Sequence, residues 1–313
     1  METSDLRPER ATLRRQVRVT PGMCGQNSLF FGQLGDWTWE TVSALTGTNV
    51  FAARNAAGQP TYLAFCYFRV RGSTSIHPHG FSFGDELAVT SRSFDFGSES
   101  VLTLHRISRD QSGDPAATLS PFEFYERPCA ESLYAETFNR WVTRSRPESN
   151  DDLISSAPAD FCHRCLPSLP VSYSPRRALR DARMNASFHG PHISGYEMII
   201  PRFDTCYAID ITRDVNGVGL IYFASYFAFI DTAVLRLWRC LERSDHRFLN
   251  RRLLDHRLAY YGNADLDSVL VLTLRLWRHA ENPDDEIIEA VIRDQLTQRL
   301  LAVASVRSVS GET

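Results

Sequence analysis

Apolar and polar residues first alternate and then give way to a run that is apolar on nearly every side, and this succession occurs twice. From Leu13 the segment LRRQVRVT alternates with the two-residue period of a strand and stops at Pro21-Gly22. In the following SLFFGQLGDWTWETVSAL, the residues Leu29, Phe30, Phe31, Leu34, Trp37, Trp39, Val42 and Leu45 leave almost no polar face. A helix of that kind is predicted to be buried. Asn27 and Ser28 are its candidate N-caps and Gly47 its predicted stop. Much later, ITRDVNGVGLIYFASYFAF repeats the arrangement of VTPGMCGQNSLFFGQLGDW. At one constant offset Thr20 meets Thr212, Gly25 meets Gly217, Leu29 meets Ile221, Phe30 meets Tyr222 and Phe31 meets Phe223. Few letters are identical; what is shared is an extended run, a glycine turn and an apolar helix start. An internal repeat sets the architecture before any single element does.

The remaining segments read mostly as strands. In the first copy these are TYLAFCYFRVR from Thr61 to Arg71, then FGDELAVTSRSFDF and SESVLTLHRISR, turned by Gly97-Ser98. In the second copy YEMIIPRF and CYAIDITR lead into LIYFASYFAFIDTAVLRLWRCL, the second buried helix. HRLAYYGN, SVLVLTLRLWRH, EIIEAVIRDQ and QRLLAVASVRSV follow as strands. Residues 284–303 also have helical propensity, but the parallel with the first copy favours strand. The expected organisation is a disordered polar tail (1–13), a first unit (14–145), a linker rich in Ser, Pro and Asp (146–190) and a second unit (191–313). Each unit buries its helix against a curled antiparallel sheet, and the two sheets join edge to edge. This turn-then-buried-helix unit resembles the signature of the hot-dog fold, so the expected class is α+β, a double hot-dog.

Composition removes several functions. The net charge of −3 gives no global attraction to nucleic acid or to an anionic membrane. No apolar run approaches the ~20 residues of a membrane span. The N-terminus, METSDLRPERATLRRQ, lacks the apolar core of a secretory signal, so a cytoplasmic protein is expected. The seven cysteines are scattered; Cys162 and Cys165, in FCHRC, read as a loop carrying two thiols. His77 and His79, in IHPHGFSFGD, are separated by a proline and followed by a glycine, which favours a hairpin loop over a metal-binding strand. No metal is expected. GxSxG, GxGxxG and P-loop patterns are absent from the sequence.

Helix starts and tyrosines are left to carry chemistry. The turns Gly25-Gln26-Asn27 and Gly217-Val218-Gly219 each open a buried helix. Backbone N–H groups there carry partial positive charge and can hold a thioester oxygen as it becomes an oxyanion. Tyr62 opens the strand after the first helix. By alternation it shares a helix-facing side with Ala64, Cys66, Phe68 and Val70, while Tyr67, Arg69 and Arg71 face away. Tyr222 and Tyr226 lie four apart on the second helix. Equally, the glycines can serve only the turns and the tyrosines only the core; on the residues alone both readings stand.

PGMCGQNSLFFGQLGDWTWETVSAL, QPTYLAFCYFRVRG and DVNGVGLIYFASYF together resemble the acyltransferase/decarboxylase family of leinamycin biosynthesis, through nearly the whole chain. The resemblance implies a homodimer of double hot-dog subunits. It implies that the substrate is methylmalonyl-CoA, that the acyl group passes to the phosphopantetheine of an acyl carrier protein, and that it is decarboxylated. The product would be a propionyl carrier protein used for β-branching on a polyketide, with no cofactor beyond the coenzyme A thioester itself. The resemblance also implies that Tyr62, in QPTYLAF, is the acyl-accepting residue. Asn27, Asn216, Gly217 and Val218 then become candidates for oxyanion support, and Tyr222 and Tyr226 for substrate binding. A free tyrosine has a pKa of about 10, and ionising one at neutral pH takes ~4 kcal/mol of phenolate stabilisation. A neutral tyrosine that donates a hydrogen bond to the thioester oxygen is physically easier. Two rival readings remain. One is a thioesterase or 3-hydroxyacyl-carrier-protein dehydratase on the same fold, with Asp231 in AFIDTA as its acid, although a helix-surface carboxylate is the plainer account of Asp231. The other is a non-catalytic module that binds acyl-CoA or a carrier protein. The seam between the copies is where the site is expected, with Tyr62 on one wall and the Asn216-Gly217 turn on another.

Overall fold

The structure, a computed structural model, describes residues 12–109, 118–146 and 149–310. In chain order it contains β1 (Thr12–Arg18), the helix α1 (Asn27–Thr46), β2 (Tyr62–Arg71), β3 (Glu86–Asp95), β4 (Ser100–Ser108), a short helix α2 (Pro121–Tyr125) and β5 (Ser132–Arg144). A short β6 (Leu153–Ser155) and the helix α3 (Arg176–Asn185) come next. Then follow β7 (Tyr196–Ala208), α4 (Ser225–Cys240), α5 (Asp245–Leu249), β8 (Arg252–Tyr260), β9 (Val269–His279), β10 (Asp285–Asp294) and β11 (Leu300–Val309). The expected disordered tail lies outside the described residues except for Thr12 and Leu13, which already belong to β1.

All strands join one sheet in the order β1-β3-β4-β5-β2-β8-β11-β10-β9-β7, with β6 added to β5. Read from either edge the order is the same, one unit mirroring the other, and the halves meet where Arg69 of β2 stands opposite Arg257 of β8. This is the α+β double hot-dog. The segment at 284–303 is strand, as the internal parallel requires. β5 was not anticipated, because SLYAETFNRWVTR mixes polar and apolar residues on both of its faces.

α1 and α4 pack on one face of the sheet, called the inner face here. Phe30, Phe31, Leu34, Trp37 and Val42 of α1 are buried, and the Trp39 indole N–H donates to the Leu63 carbonyl at 2.9 Å. α1 ends as expected at Gly47, whose φ of 75° is the left-handed value that glycine adopts without strain. Its start differs from expectation. Gln26 is the N-cap without a side-chain cap bond, and the Asn27 amide instead donates to both Asp231 carboxylate oxygens on α4, at 3.1 and 2.9 Å. α4 begins at Ser225 rather than Leu220, so Tyr222 and Phe223 lie in the incoming turn and only Tyr226 is helical.

The described residues between 146 and 190 pack on both units, the Ser187 hydroxyl donating to Glu289 and the Leu179 carbonyl accepting from Tyr261 on the second. Leu169 packs with Tyr67, Leu102 and Phe138 on the outer face of the sheet, and Phe161 and Leu166 pack with Val42, Leu63 and Trp141. Cys162 and Cys165, read from sequence as thiols, are joined in a disulfide. Among the described residues no helix is long and apolar enough to cross a membrane.

Candidate active site

A β-bulge decides where Tyr62 points. Along β2 and β5 the partners are Tyr62 with Val142, Leu63 with Trp141, Ala64 with Arg140 and Phe65 with Asn139. The register then shifts, and Tyr67 faces Phe138. Cys66 is the extra residue. A bulge of this type reverses the alternation of a strand. Beyond it Phe68 and Val70 face the inner core, but before it the inner residues are Leu63 and Phe65. Tyr62 therefore shares the outer face with Ala64, Arg140 and Val142. The sequence reading placed it on the helix side; it was one residue out of phase, since a period of two cannot anticipate an inserted position.

The same bulge opens the sheet. β2 is paired with β8 only from Tyr67 to Arg71, and towards Tyr62 it is held by β5 alone. β8 meanwhile continues to Tyr260 beside β11. Between the diverging strands lies a cleft of about 520 Å3, lined by Tyr62 to Cys66 on one side and by Tyr260 to Asn263 on the other. That volume suits a small-molecule ligand. From the inner face Phe223 and Tyr226 reach into it; from the outer face Arg140 and α3 border it. The cleft thus runs through the seam of the two units, from one face of the sheet to the other.

Four tyrosines line this cleft, and their hydroxyl groups are not equivalent. Tyr226 donates to the Gly262 carbonyl at 3.3 Å, Tyr260 to the Phe223 carbonyl at 3.0 Å and Tyr261 to the Leu179 carbonyl at 2.7 Å. Burial pushes all three phenols above their ordinary value, so they stay neutral. Tyr62 alone of the four has no hydrogen-bond partner among the described residues. Its hydroxyl is available to a ligand.

The Asn216 turn forms a further wall, but it is not a helix start. The Asn216 side-chain oxygen accepts from the backbone N–H groups of Val218 and Leu220, at 3.1 and 3.0 Å. The Asn216 carbonyl accepts from Gly219, and Asn263 accepts the Ile221 N–H at 3.1 Å. The donors expected to serve an oxyanion at Val218 are therefore committed to the loop itself. Of the residues singled out from sequence, the structure brings Tyr62, Asn216, Val218 and Tyr226 to the cleft and leaves Asn27, Gly217 and Tyr222 out of its lining. The Tyr222 phenol, pushed up to about 12 mainly by burial, rests on α1 at Gly32. Asp231 is no surface carboxylate: it pairs with the buried Arg251 at 2.8 Å. His77 precedes a tight turn at Pro78–Gly80 and His79 lies within it, where its ring N–H donates to the Arg251 carbonyl at 2.9 Å.

Sequence reasoning missed the arginines. Arg140, Arg176, Arg180, Arg183 and Arg299 all border the cleft, with Asp151 as the one carboxylate. Asp151 is taken by Arg299. The available signal was SPRRALRDARMNA, which the sequence marks as helix turns within the linker, as the structure has it at α3, but to which no chemical role was attached.

A family model described as the LnmK N-terminal Hot Dog Fold domain matches residues 14–190. The chain belongs to this family. No curated protein matches the sequence. Among solved structures, this LnmK-type chain is similar to a protein assigned as an oleoyl thioesterase from Lactobacillus plantarum, with a TM-score of 0.61 at 9% identity over 96% of this chain and 97% of that one. It is similar also to the 12:0-ACP thioesterase from Umbellularia californica (TM-score 0.60, 10% identity, 96% and 98% covered). A third likeness is to an acyl-ACP thioesterase from Bacteroides thetaiotaomicron (TM-score 0.50, 8% identity, 96% and 99% covered). At such identities these likenesses establish the fold of the LnmK-type chain and nothing finer.

Proposed function

We propose that this protein is a bifunctional acyltransferase/decarboxylase that takes methylmalonyl-CoA and delivers propionyl to an acyl carrier protein, for β-branching of a polyketide. The observation that carries the reading is the free hydroxyl of Tyr62 in a cleft whose other tyrosines are satisfied by backbone. Membership of the LnmK-type family supports it.

In the decarboxylation the bond between the α-carbon and the carboxylate breaks, carbon dioxide leaves, and the electron pair moves to the thioester oxygen as an enolate. The α-carbon then takes a proton from water. Tyr62 donates a hydrogen bond to that oxygen, a contact that strengthens as charge develops. Phe65, Phe223 and Tyr226 exclude water from the reacting group, which favours loss of a poorly solvated carboxylate. In acyl transfer the thioester C–S bond to coenzyme A breaks, one to the carrier thiol forms, and the carrier's thiol proton ends on coenzyme A. The thioesterase reading rested on Asp231, and that carboxylate is engaged with Arg251 and Asn27 outside the cleft lining.

Intact-protein mass spectrometry of enzyme and carrier protein with methylmalonyl-CoA tests the proposal. Propionyl on the carrier is the expected result; free acid, or no change in mass, would sink it. Tyr62→Phe should lower turnover about 10²–10³-fold, the usual effect of losing one oxyanion donor, with the melting temperature unchanged. An adduct on the wild-type enzyme that is absent from Tyr62→Phe would assign Tyr62 the covalent role as well.

A further inference from the structure

α3 carries Arg176, Arg180 and Arg183 at i, i+4 and i+7, one stripe of a helix. These three border the cleft, while Arg177 does not and is paired with Asp181 on its own helix. The stripe spans about 10 Å at 1.5 Å per residue. None of its members has a carboxylate partner among the described residues. Arg176 donates to the Phe96 carbonyl at 2.8 Å and lies over the Phe96 and Phe138 rings. Arg183 lies over the Tyr261 ring. Arg180 has no partner among the described residues. On a chain with net charge −3, this is a concentrated and uncompensated positive charge at the outer mouth of the cleft. The helix is also tied down: Ala182 is fully buried and the Leu179 carbonyl accepts the Tyr261 hydroxyl.

We infer that this stripe is a phosphate clamp for the pantetheine arm of the thioester, with Arg180 at its centre and Arg183 beside it. The inference rests on the thioester reading of the cleft. A thioester whose acyl end enters between Phe65 and Tyr226 leaves its arm running out past α3, and guanidinium groups bind phosphate by paired, charge-assisted hydrogen bonds. The phosphate joined directly to pantetheine is common to coenzyme A and to a carrier protein's prosthetic group. One clamp therefore serves donor and acceptor in turn, and the two compete for it.

Calorimetric titration with unacylated ligands tests this without relying on turnover, so a failed clamp and a failed reaction are told apart. Wild-type protein should bind coenzyme A, dephospho-coenzyme A and 4′-phosphopantetheine at least about tenfold more tightly than pantetheine, the effect of one charge-assisted contact. In Arg180→Ala/Arg183→Ala that preference should collapse, and in Arg177→Ala it should persist. Three results overturn the inference: equal weakening of pantetheine and of the phosphorylated ligands, a preference that depends on the 3′-phosphate of coenzyme A alone, or a preference that survives the double substitution.

Discussion

The ring of Phe223 occupies the space where a side chain on Gly35 would stand: a Cβ built at Gly35 lies 2.1 Å from it. The inner wall of the cleft thus rests on α1 through a glycine. Gly35→Ala must displace Phe223, at the ~1–3 kcal/mol typical of overpacking. The expected outcome is a lower melting temperature together with a raised KM for the thioester. At Gly32 the nearest atom to a new Cβ is the Tyr222 hydroxyl at 3.1 Å, the tip of a side chain, so Gly32→Ala should cost less. A Gly35→Ala protein that melts and binds like wild type would contradict this packing.

Asn216 shapes the loop rather than the reaction. Asn216→Ala removes the acceptor for two backbone donors, Val218 and Leu220, each worth about 1 kcal/mol. KM should rise several-fold while kcat stays within about threefold. A fall in kcat of about 10²–10³ with KM unchanged would return Asn216 to the oxyanion role.

Asp231 and Arg251 form a pair in which the arginine is only 3% exposed. Asp231→Asn leaves that guanidinium uncompensated, with a stability loss of about 3–5 kcal/mol, measurable by denaturant titration. Turnover per folded molecule should persist, because Asp231 lies outside the cleft lining. Its disappearance in a folded Asp231→Asn protein would revive the acid role.

Glu136 lies on the outer face, accepts from the Tyr125 hydroxyl at 2.7 Å and is 3% exposed. Burial pushes its carboxyl up to about 7, against the opposing pull of Tyr125 and of the nearby Arg69 and Arg257. The ordinary value is 4.5, so the folded state holds a proton that the unfolded state has released between about pH 4.5 and 7. Its contribution is present below that window and is lost as pH rises through it, by up to about 3 kcal/mol. The buried His105 and His256 and the half-buried His77 are held neutral by burial and gain stability over the same window, so the decline is read as a difference. Between pH 5 and pH 8, urea unfolding should show Glu136→Gln changing more favourably with rising pH than wild type. Asp255 acts in the opposite sense. Although burial disfavours its charge, the guanidinium groups of Arg69 and Arg257 hold its carboxyl well below the carboxylate range. Its stabilisation is therefore lost only as the pH falls below about 4.

Much of the fold was legible because the duplicated pattern is long and local. The apolar helices and most strands announce themselves by period, and the repeat supplies the pairing of units. What was lost depended on single residues whose effect is set by distant partners. Asn27 looked like a cap, but its amide satisfies Asp231 on the other helix. Tyr222 looked helical, but the helix waits until Ser225 while the incoming turn packs its aromatic rings on Gly32 and Gly35. The arginines of α3 matter through their position at the cleft, which no local pattern encodes. Tyr62 was identifiable as a residue but not as a direction.

That direction has a consequence for reading related chains. Because Cys66 is an additional position rather than a necessary side chain, exchanging it for another small residue keeps Tyr62 on the outer side. Losing that residue removes the bulge and still leaves Tyr62 opposite Val142 on the outer side, whereas the same letters run as an unbulged strand would turn it inward. The pairing of Tyr62 with Val142, which the bulge leaves intact, is therefore a better marker of shared chemistry than the presence of the tyrosine or its distance along the chain from Tyr67.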